Sequence, residues 1–434
     1  MRVLVIAYEF PPSPSPQSLR WRYLAAELAA QGVDVHVLTV DELPSTMLRV
    51  CAPDGVTVHR SFPGCVIGGV TWLGRRKRAI RGEGGPACAV GAEVAVRTLP
   101  SRLNWKGRLI EAIQRLAAKW YFPDIRGEWQ PFARRRLRQL LCELRPDVVV
   151  SSHEPATTLQ LGVLAKSMGF PWLADLGDPV LCSYTPARWR NKALRLERRT
   201  CREADQVTVT SAGARELLIE RHGVAHDRVK ILTQGFDASW QHSPSAIEFD
   251  PERLELLFTG SFYSFRNPQA LLEAVVRYPS VRLNIATSRW PEALESWLVE
   301  YPQQLRLLGF LPHAEAIAVQ RAADVLVNIA NDDPVHVPGK IFEYLGARRP
   351  ILQLGNDAND AAAVLLAERG CGVRCEQRSE SIELVLSDLV RMKHEGTLDA
   401  AFNLNQDGLE RYSWQGLSRQ LLHSLKAIAP GAAE

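Results

Sequence analysis

The stretch "ADVLVNIANDDPVHVPGKIFEYLGARRPILQLG" (Ala323–Gly355) contains a complete strand, helix, strand unit. "ADVLVNIA" runs apolar like a buried strand, "NDDPVHVPG" is a polar loop carrying Pro and Gly, and "PILQLG" reads as a second strand, which leaves a short helix between them. Such units favour parallel sheets with ligands at the carboxyl ends of the strands, where a helix N-terminus aims free amides outward. Lys340 stands at that helix start and Glu343 follows three residues later, both on the expected ligand-facing first turn. A cation there opposes the helix dipole, at a cost of a few tenths up to about 1 kcal/mol. An anion such as a diphosphate would reverse that cost, and a glutamate accepting hydrogen bonds from two vicinal hydroxyls fits a ribose. The same spacing also describes a capped surface helix with both charges solvated.

Outward from this unit the alternation continues in both directions. "RVLVIAY", "DVHVLTV", "VTVHR", "PDVVVSS", "PWLADL" and "QVTVTS" read as strands separated by helices such as "QSLRWRYLAAELAAQG" and "RRRLRQLLCELR". A second series follows: "LELLFTG", "VRLNIAT", "LRLLGF", "DVLVNIA", "PILQLG" and "GVRC". The pattern predicts an α/β protein of two Rossmann-like, doubly wound domains joined near Gly235. The expected bounds are 1–235, 236–410, and a final amphipathic helix within 411–434.

At 434 residues the chain exceeds what one core ordinarily holds, and 46% hydrophobic residues with mixed charge exclude a disordered polymer. Eight cysteines carry no CxxC pair and no metal-like spacing with histidine, which predicts reduced, mostly buried thiols and a cytoplasmic protein. No run reaches the eighteen or so apolar residues of a membrane span, and "MRVLVIAYEF" reads as a strand and not as a signal peptide. The net charge of +4 is modest but uneven. Ten Lys or Arg face three acids between Arg102 and Arg138, and "GRRKRAIRG" (Gly74–Gly82) adds a second cluster. In "WKGRLIEAIQRLAAKW" the residues Trp105, Leu109, Ile113, Leu116 and Trp120 recur at helical spacing. That is the profile of a helix lying on an anionic membrane surface, and equally of a helix docked on its own domain. No nucleic-acid signature is present, so nucleic acid is not an expected partner.

Neither half carries GxGxxG after its first strand, which excludes an ordinary NAD-dependent dehydrogenase, and no GxxxxGK[ST] is present for a P-loop nucleotidase. A further candidate anion loop is "FTGSFYSFRNP" (Phe258–Pro268), in which Gly260 would let backbone approach a ligand and Arg266 could reach it. A strand-to-helix loop with a solvated arginine is its plain alternative. No DxD-type acidic motif stands in a suitable loop, "NDD" (Asn331–Asp333) being nearest, so no metal is expected.

Taken together, "EFPP", "DVHVLT", "PDVVVSSHEP", "QGFD", "FTGSF", "RNPQALLEA" and above all "KIFEYLGARRPIL" resemble glycosyltransferase family 4, the retaining nucleotide-sugar transferases of GT-B fold. The resemblance spans nearly the whole chain and is weakest between about Leu43 and Asn104. It implies two Rossmann-like domains facing a cleft, the first taking the acceptor and the second a UDP- or GDP-linked sugar donor, with no further cofactor. It also implies a terminal helix that crosses back onto the first domain. Glu343 matches the ribose-holding glutamate, Arg266 a basic position at the diphosphate, and Lys340 would supply a second positive charge. His153, in "SSHEP", resembles a histidine near the transferred sugar, although a loop histidine capping the next helix would look the same. Asp178, in "ADLGDP", is a candidate for orienting acceptor hydroxyls. Two departures stand out: where relatives place an earlier glutamate in an E, seven residues, E pattern this chain has Val335, and the first loop has Ser and Pro in place of Gly-Gly.

The expectation is therefore a cytoplasmic glycosyltransferase, peripheral on the inner face of the plasma membrane. It would extend a cell-surface or exopolysaccharide glycan on a lipid-linked acceptor with retention. A GT-B sugar-nucleotide epimerase and a non-catalytic glycan-binding homologue are the alternatives.

Overall fold

A computed structural model describes residues 1–13, 15–41, 51–80, 120–183, 185–238, 245, 247–262, 266–330, 337–405 and 407–430. The chain divides into two compact units, and among the described residues it passes from one to the other between Thr233 and Gln234 and between Ser413 and Trp414.

The first unit holds seven parallel strands in the order β3-β2-β1-β4-β5-β6-β7. They are β1 (Arg2–Ile6), β2 (Asp34–Val40), β3 (Val56–Ser61), β4 (Val148–His153), β5 (Trp172–Leu176), β6 (Gln206–Val209) and β7 (Val229–Ile231). Its helices are α1 (Pro16–Ala30), α2 (Cys65–Ile80), α3 (Gln130–Leu144), α4 (Thr157–Ser167), α5 (Arg190–Glu203) and α6 (Ala212–His222), joined from the far end of the chain by α13 (Trp414–Ile428). Every residue of β4, β5 and β6 is buried, as expected of central parallel strands covered on both faces. Packing sets the place of α13. Trp414 stacks on Tyr23 of α1 at 5.3 Å, and Leu417, Leu421 and Leu425 enter the same cluster as Leu24 and Leu28.

The second unit has six parallel strands in the order β10-β9-β8-β11-β12-β13. They are β8 (Leu254–Thr259), β9 (Val281–Ala286), β10 (Leu305–Gly309), β11 (Val325–Ile329), β12 (Ile351–Leu354) and β13 (Gly372–Cys375). The helices are α7 (Gln269–Val275), α8 (Glu295–Glu300), α9 (His313–Ala322), α10 (Gly339–Ala347), α11 (Ala361–Arg369) and α12 (Ser379–His394). Both sheets reverse their strand order beside their first strand, between β1 and β4 and between β8 and β11, which is where doubly wound sheets place ligands.

One expectation needs amendment. Cys51 is disulfide-bonded, so the reading of eight reduced thiols fails there. The described Cys65, Cys142, Cys182, Cys201, Cys371 and Cys375 are free. The proposed interfacial helix falls largely on residues that are not described. Its apolar positions from Trp105 to Leu116 lie outside the described residues, as do Arg81 and Gly82 of the other basic cluster; Trp120 is described and is 82% exposed. Among the described residues no helix is long and apolar enough to cross a membrane.

Candidate functional site

In the second unit the site begins at the carboxyl end of β8. Thr259 closes that strand and Gly260 follows with φ +155°, a conformation that L side chains rarely adopt and that accounts for a glycine there. Tyr344 of α10 reaches back to this point. Its hydroxyl accepts from the Thr259 N–H at 3.0 Å and donates to the Val327 carbonyl at 3.3 Å, tying the helix to the ends of β8 and β11. The other side of α10 is fixed by Phe236, against which a side chain at Gly346 would come within 2.6 Å.

So held, α10 presents Lys340 and Glu343. Lys340 is the second helical residue and Glu343 the fifth, so Glu343 lies a turn further in than a shared first turn would put it. At 3.6 residues per turn the two nevertheless stack, and Lys340 Nζ donates to Glu343 Oε2 at 2.6 Å. The anion that compensates a cation at this helix start is thus in the same helix. His313, at the start of α9, hydrogen-bonds through Nε2 to Glu343 Oε1 at 3.2 Å. Gln320, on the following turns of α9, donates to Glu343 Oε2 at 3.4 Å and to Thr259 Oγ1 at 3.1 Å.

Both charges are shifted by these contacts. Burial would raise the Glu343 carboxyl, but the Lys340 charge and the His313 hydrogen bond outweigh it and hold the group well below its ordinary range. Burial would likewise lower Lys340, and the Glu343 carboxylate reverses this and leaves it raised. The side chains are 34% exposed for Lys340, 23% for His313 and 16% for Glu343, so the ion pair is accessible to a ligand at its lysine end. Arg266 lies half-buried between β8 and α7. Val335, Asp332 and Asp333 lie outside the described residues.

In the first unit His153 ends β4, beside β1 at the order reversal, and is only 5% exposed. Its Nδ1 is 3.1 Å from the Asp178 backbone oxygen. A carbonyl only accepts, so Nδ1 carries the hydrogen of this bond. His153 and Asp178 are therefore brought together, through the backbone of Asp178. Gln17 of α1 donates to Ser152 Oγ at 2.6 Å and to the His153 carbonyl at 2.7 Å, which fixes the strand end.

Sequence reading missed His313 and Gln320, which sit in "LPHAEAIAVQ" with no motif of their own. It also missed Asp175, three residues before Asp178. Asp175 is fully buried against Arg20 of α1, at 3.1 and 3.3 Å, and also accepts from Thr208 Oγ1 at 2.8 Å. Arg20 in turn donates to the carbonyls of Leu232, at 2.9 Å, and of Thr233, after which the chain leaves the unit.

The sequence profile of the glycosyl transferase 4-like domain matches residues 17–235. The chain belongs to the glycosyl transferase 4-like family. Solved structures similar to this glycosyl transferase 4-like chain include Anabaena HepE in complex with UDP, at 13% identity and TM-score 0.62 over 99% of this chain and 100% of that one. WaaG, a glycosyltransferase involved in lipopolysaccharide biosynthesis, is 14% identical with TM-score 0.59 over 99% of this chain and 100% of WaaG. A UDP-N-acetylglucosamine 2-epimerase is 12% identical with TM-score 0.56, over 98% of this chain and 95% of the epimerase. At these identities the likeness is one of fold, the GT-B arrangement of two Rossmann-like domains. A comparison of the sequence with curated proteins finds no match.

Proposed function

We propose that this glycosyl transferase 4-like protein transfers a sugar from a UDP- or GDP-linked donor to a lipid-linked glycan acceptor, with retention, in cell-surface polysaccharide synthesis. The observation that carries the reading is the Lys340–Glu343 pair on α10, next to the order reversal of the second sheet, with one carboxylate oxygen held by His313 and the other by Lys340. Glu343 is the acceptor for the ribose hydroxyls, and Lys340 with Arg266 is the cationic side for the diphosphate. Departure of a nucleoside diphosphate develops negative charge, and fixed cations aimed at that charge are usually the largest catalytic contribution. Displacement then proceeds on the front face through an ion-pair-like transition state. In the first unit His153 contacts the transferred sugar, and Asp178 orients acceptor hydroxyls. Neither role calls for a cofactor.

The fold likeness to an epimerase favours a second reading, a sugar-nucleotide epimerase. Incubation with UDP- and GDP-sugars, with and without membrane extracts carrying lipid-linked glycans, separates the two. Acceptor-dependent release of nucleoside diphosphate supports the transferase, whereas interconversion of the donor sugar without acceptor supports the epimerase. Nuclear magnetic resonance of the anomeric centre of a transferred sugar tests retention.

We place the protein at the cytoplasmic face of the membrane because a lipid-linked acceptor keeps its reacting sugar near the bilayer, and Arg134, Arg135 and Arg138 stand exposed on α3 while Ala133, Leu137 and Leu141 face the core. A cationic face of this kind is attracted to anionic lipid.

A further inference from the structure

Glu343 is held by more donors than a ribose reader can keep. A carboxylate offers about four lone-pair positions. His313 occupies one on Oε1, and Lys340 and Gln320 take two on Oε2. Two vicinal hydroxyls need two positions, so one present donor must give way. Gln320 is the longest of the three and retains its bond to Thr259 if it lets go. Lys340 is the one whose charge an incoming diphosphate can engage, and its side chain is the most exposed of the ion-paired groups. Once Lys340 turns toward phosphate, His313 remains as the donor on the opposite carboxylate oxygen. Because Glu343 only accepts, His313 Nε2 carries the hydrogen of that bond.

We propose that His313 is a positioning residue of the donor site: it holds the Glu343 carboxylate in the orientation that reads both ribose hydroxyls while Lys340 is drawn to the diphosphate. The two units of recognition, sugar and phosphate, are then coupled through one carboxylate. His313 acts through Glu343, from the first residue of α9. The inference rests on the donor-site reading of Glu343.

The test compares ribose with deoxyribose. Dissociation constants for UDP, GDP and their 2′-deoxy counterparts are measured by calorimetry on the unmutated protein, on His313→Gln, which keeps an N–H donor, and on His313→Leu, which fills similar space without one. The unmutated protein is expected to prefer the ribo form of one of the two nucleotides. His313→Leu is expected to lower ribo affinity about tenfold, the scale of one hydrogen bond to a charged group, and to change deoxy affinity less, so that the preference collapses. His313→Gln is expected to keep most of it. A purely structural histidine would weaken both forms equally and leave their ratio intact, and that result in a folded Leu variant overturns the proposal. So does an unmutated protein that binds both forms equally. If the unmutated protein binds neither UDP nor GDP, the donor-site reading itself fails, which is a distinct outcome. Thermal melts establish folding. Should the Leu variant not fold, His313→Asn, whose shorter amide does not span to Glu343, takes its place with the same expectation.

Discussion

The two units each contain an ion pair close to the order reversal of their sheet, and the pairs differ in what surrounds them. Arg20 and Asp175 are both completely buried, and every hydrogen bond described for them goes to the protein: to each other, to Thr208, and to the carbonyls of Leu232 and Thr233. Lys340 and Glu343 sit in the second unit with the lysine a third exposed and the carboxylate shared among three donors. The first arrangement is closed and can only hold the fold. The second is open at one end and can exchange a partner, which is what ligand recognition requires. Sequence separation reflects the contrast: Arg20 and Asp175 are 155 positions apart, Lys340 and Glu343 three.

Substitutions that break each pair should therefore fail differently. Arg20→Met leaves Asp175 buried with only the Thr208 hydroxyl, and removal of one partner of a buried pair costs about 3–5 kcal/mol. Urea denaturation is expected to show that loss, and the double variant Arg20→Met, Asp175→Leu to recover much of it. A single Arg20→Met variant as stable as the parent would show that the closed pair does not hold the fold. Glu343→Ala should keep the fold while losing the stability its pairing with Lys340 contributes, and should cost on the order of 100-fold in nucleotide-sugar affinity, through two lost charge-assisted hydrogen bonds. Unchanged affinity in a calorimetric titration removes Glu343 from the ribose. Lys340→Ala should weaken nucleoside diphosphate binding about tenfold and spare the bare nucleoside. A parent protein that binds nucleoside as well as diphosphate would deny Lys340 that role.

Protonation sharpens the comparison further. Glu343 has a native value below its ordinary 4.5, so its pairing contributes in full above about pH 4.5 and is lost as pH falls through the lower native value. Lys340 is raised above its ordinary 10.5, so its share is complete below that value and is lost only as pH rises through the higher native one. The stability difference between the parent and Glu343→Gln should therefore shrink on acidification below about pH 4.5. At the surface, vesicles containing anionic lipid should bind the protein and neutral ones should not, with release at high salt, because screening acts over roughly 10 Å at 0.1 M. Changing Arg134, Arg135 and Arg136 together to Glu should reduce sedimentation with anionic vesicles; equal recovery with neutral vesicles would return α3 to an ordinary packed helix. The smallest effect is expected from chelators: the diphosphate has protein cations available, so EDTA should leave transfer largely intact, and rescue by manganese would direct attention to Asp332 and Asp333.

Much of the architecture was legible in local pattern. Apolar runs such as "RVLVI", "VVVSSH", "LELLFT" and "VLVNI" are buried on both faces, and continuous apolar runs alternating with helices admit little besides parallel, doubly wound sheets. Lys340 and Glu343 were legible for the same reason, since a three-residue spacing in a helix dictates their contact. Only the tertiary structure brought His313 and Gln320 to the carboxylate, Tyr344 to Thr259, and Arg20 to Asp175. Those contacts join residues 17 to 155 positions apart, across elements whose neighbours are decided by sheet order. Spacing along a helix is fixed by its pitch, whereas proximity between elements is fixed by how whole layers pack, and no short stretch of sequence contains that information.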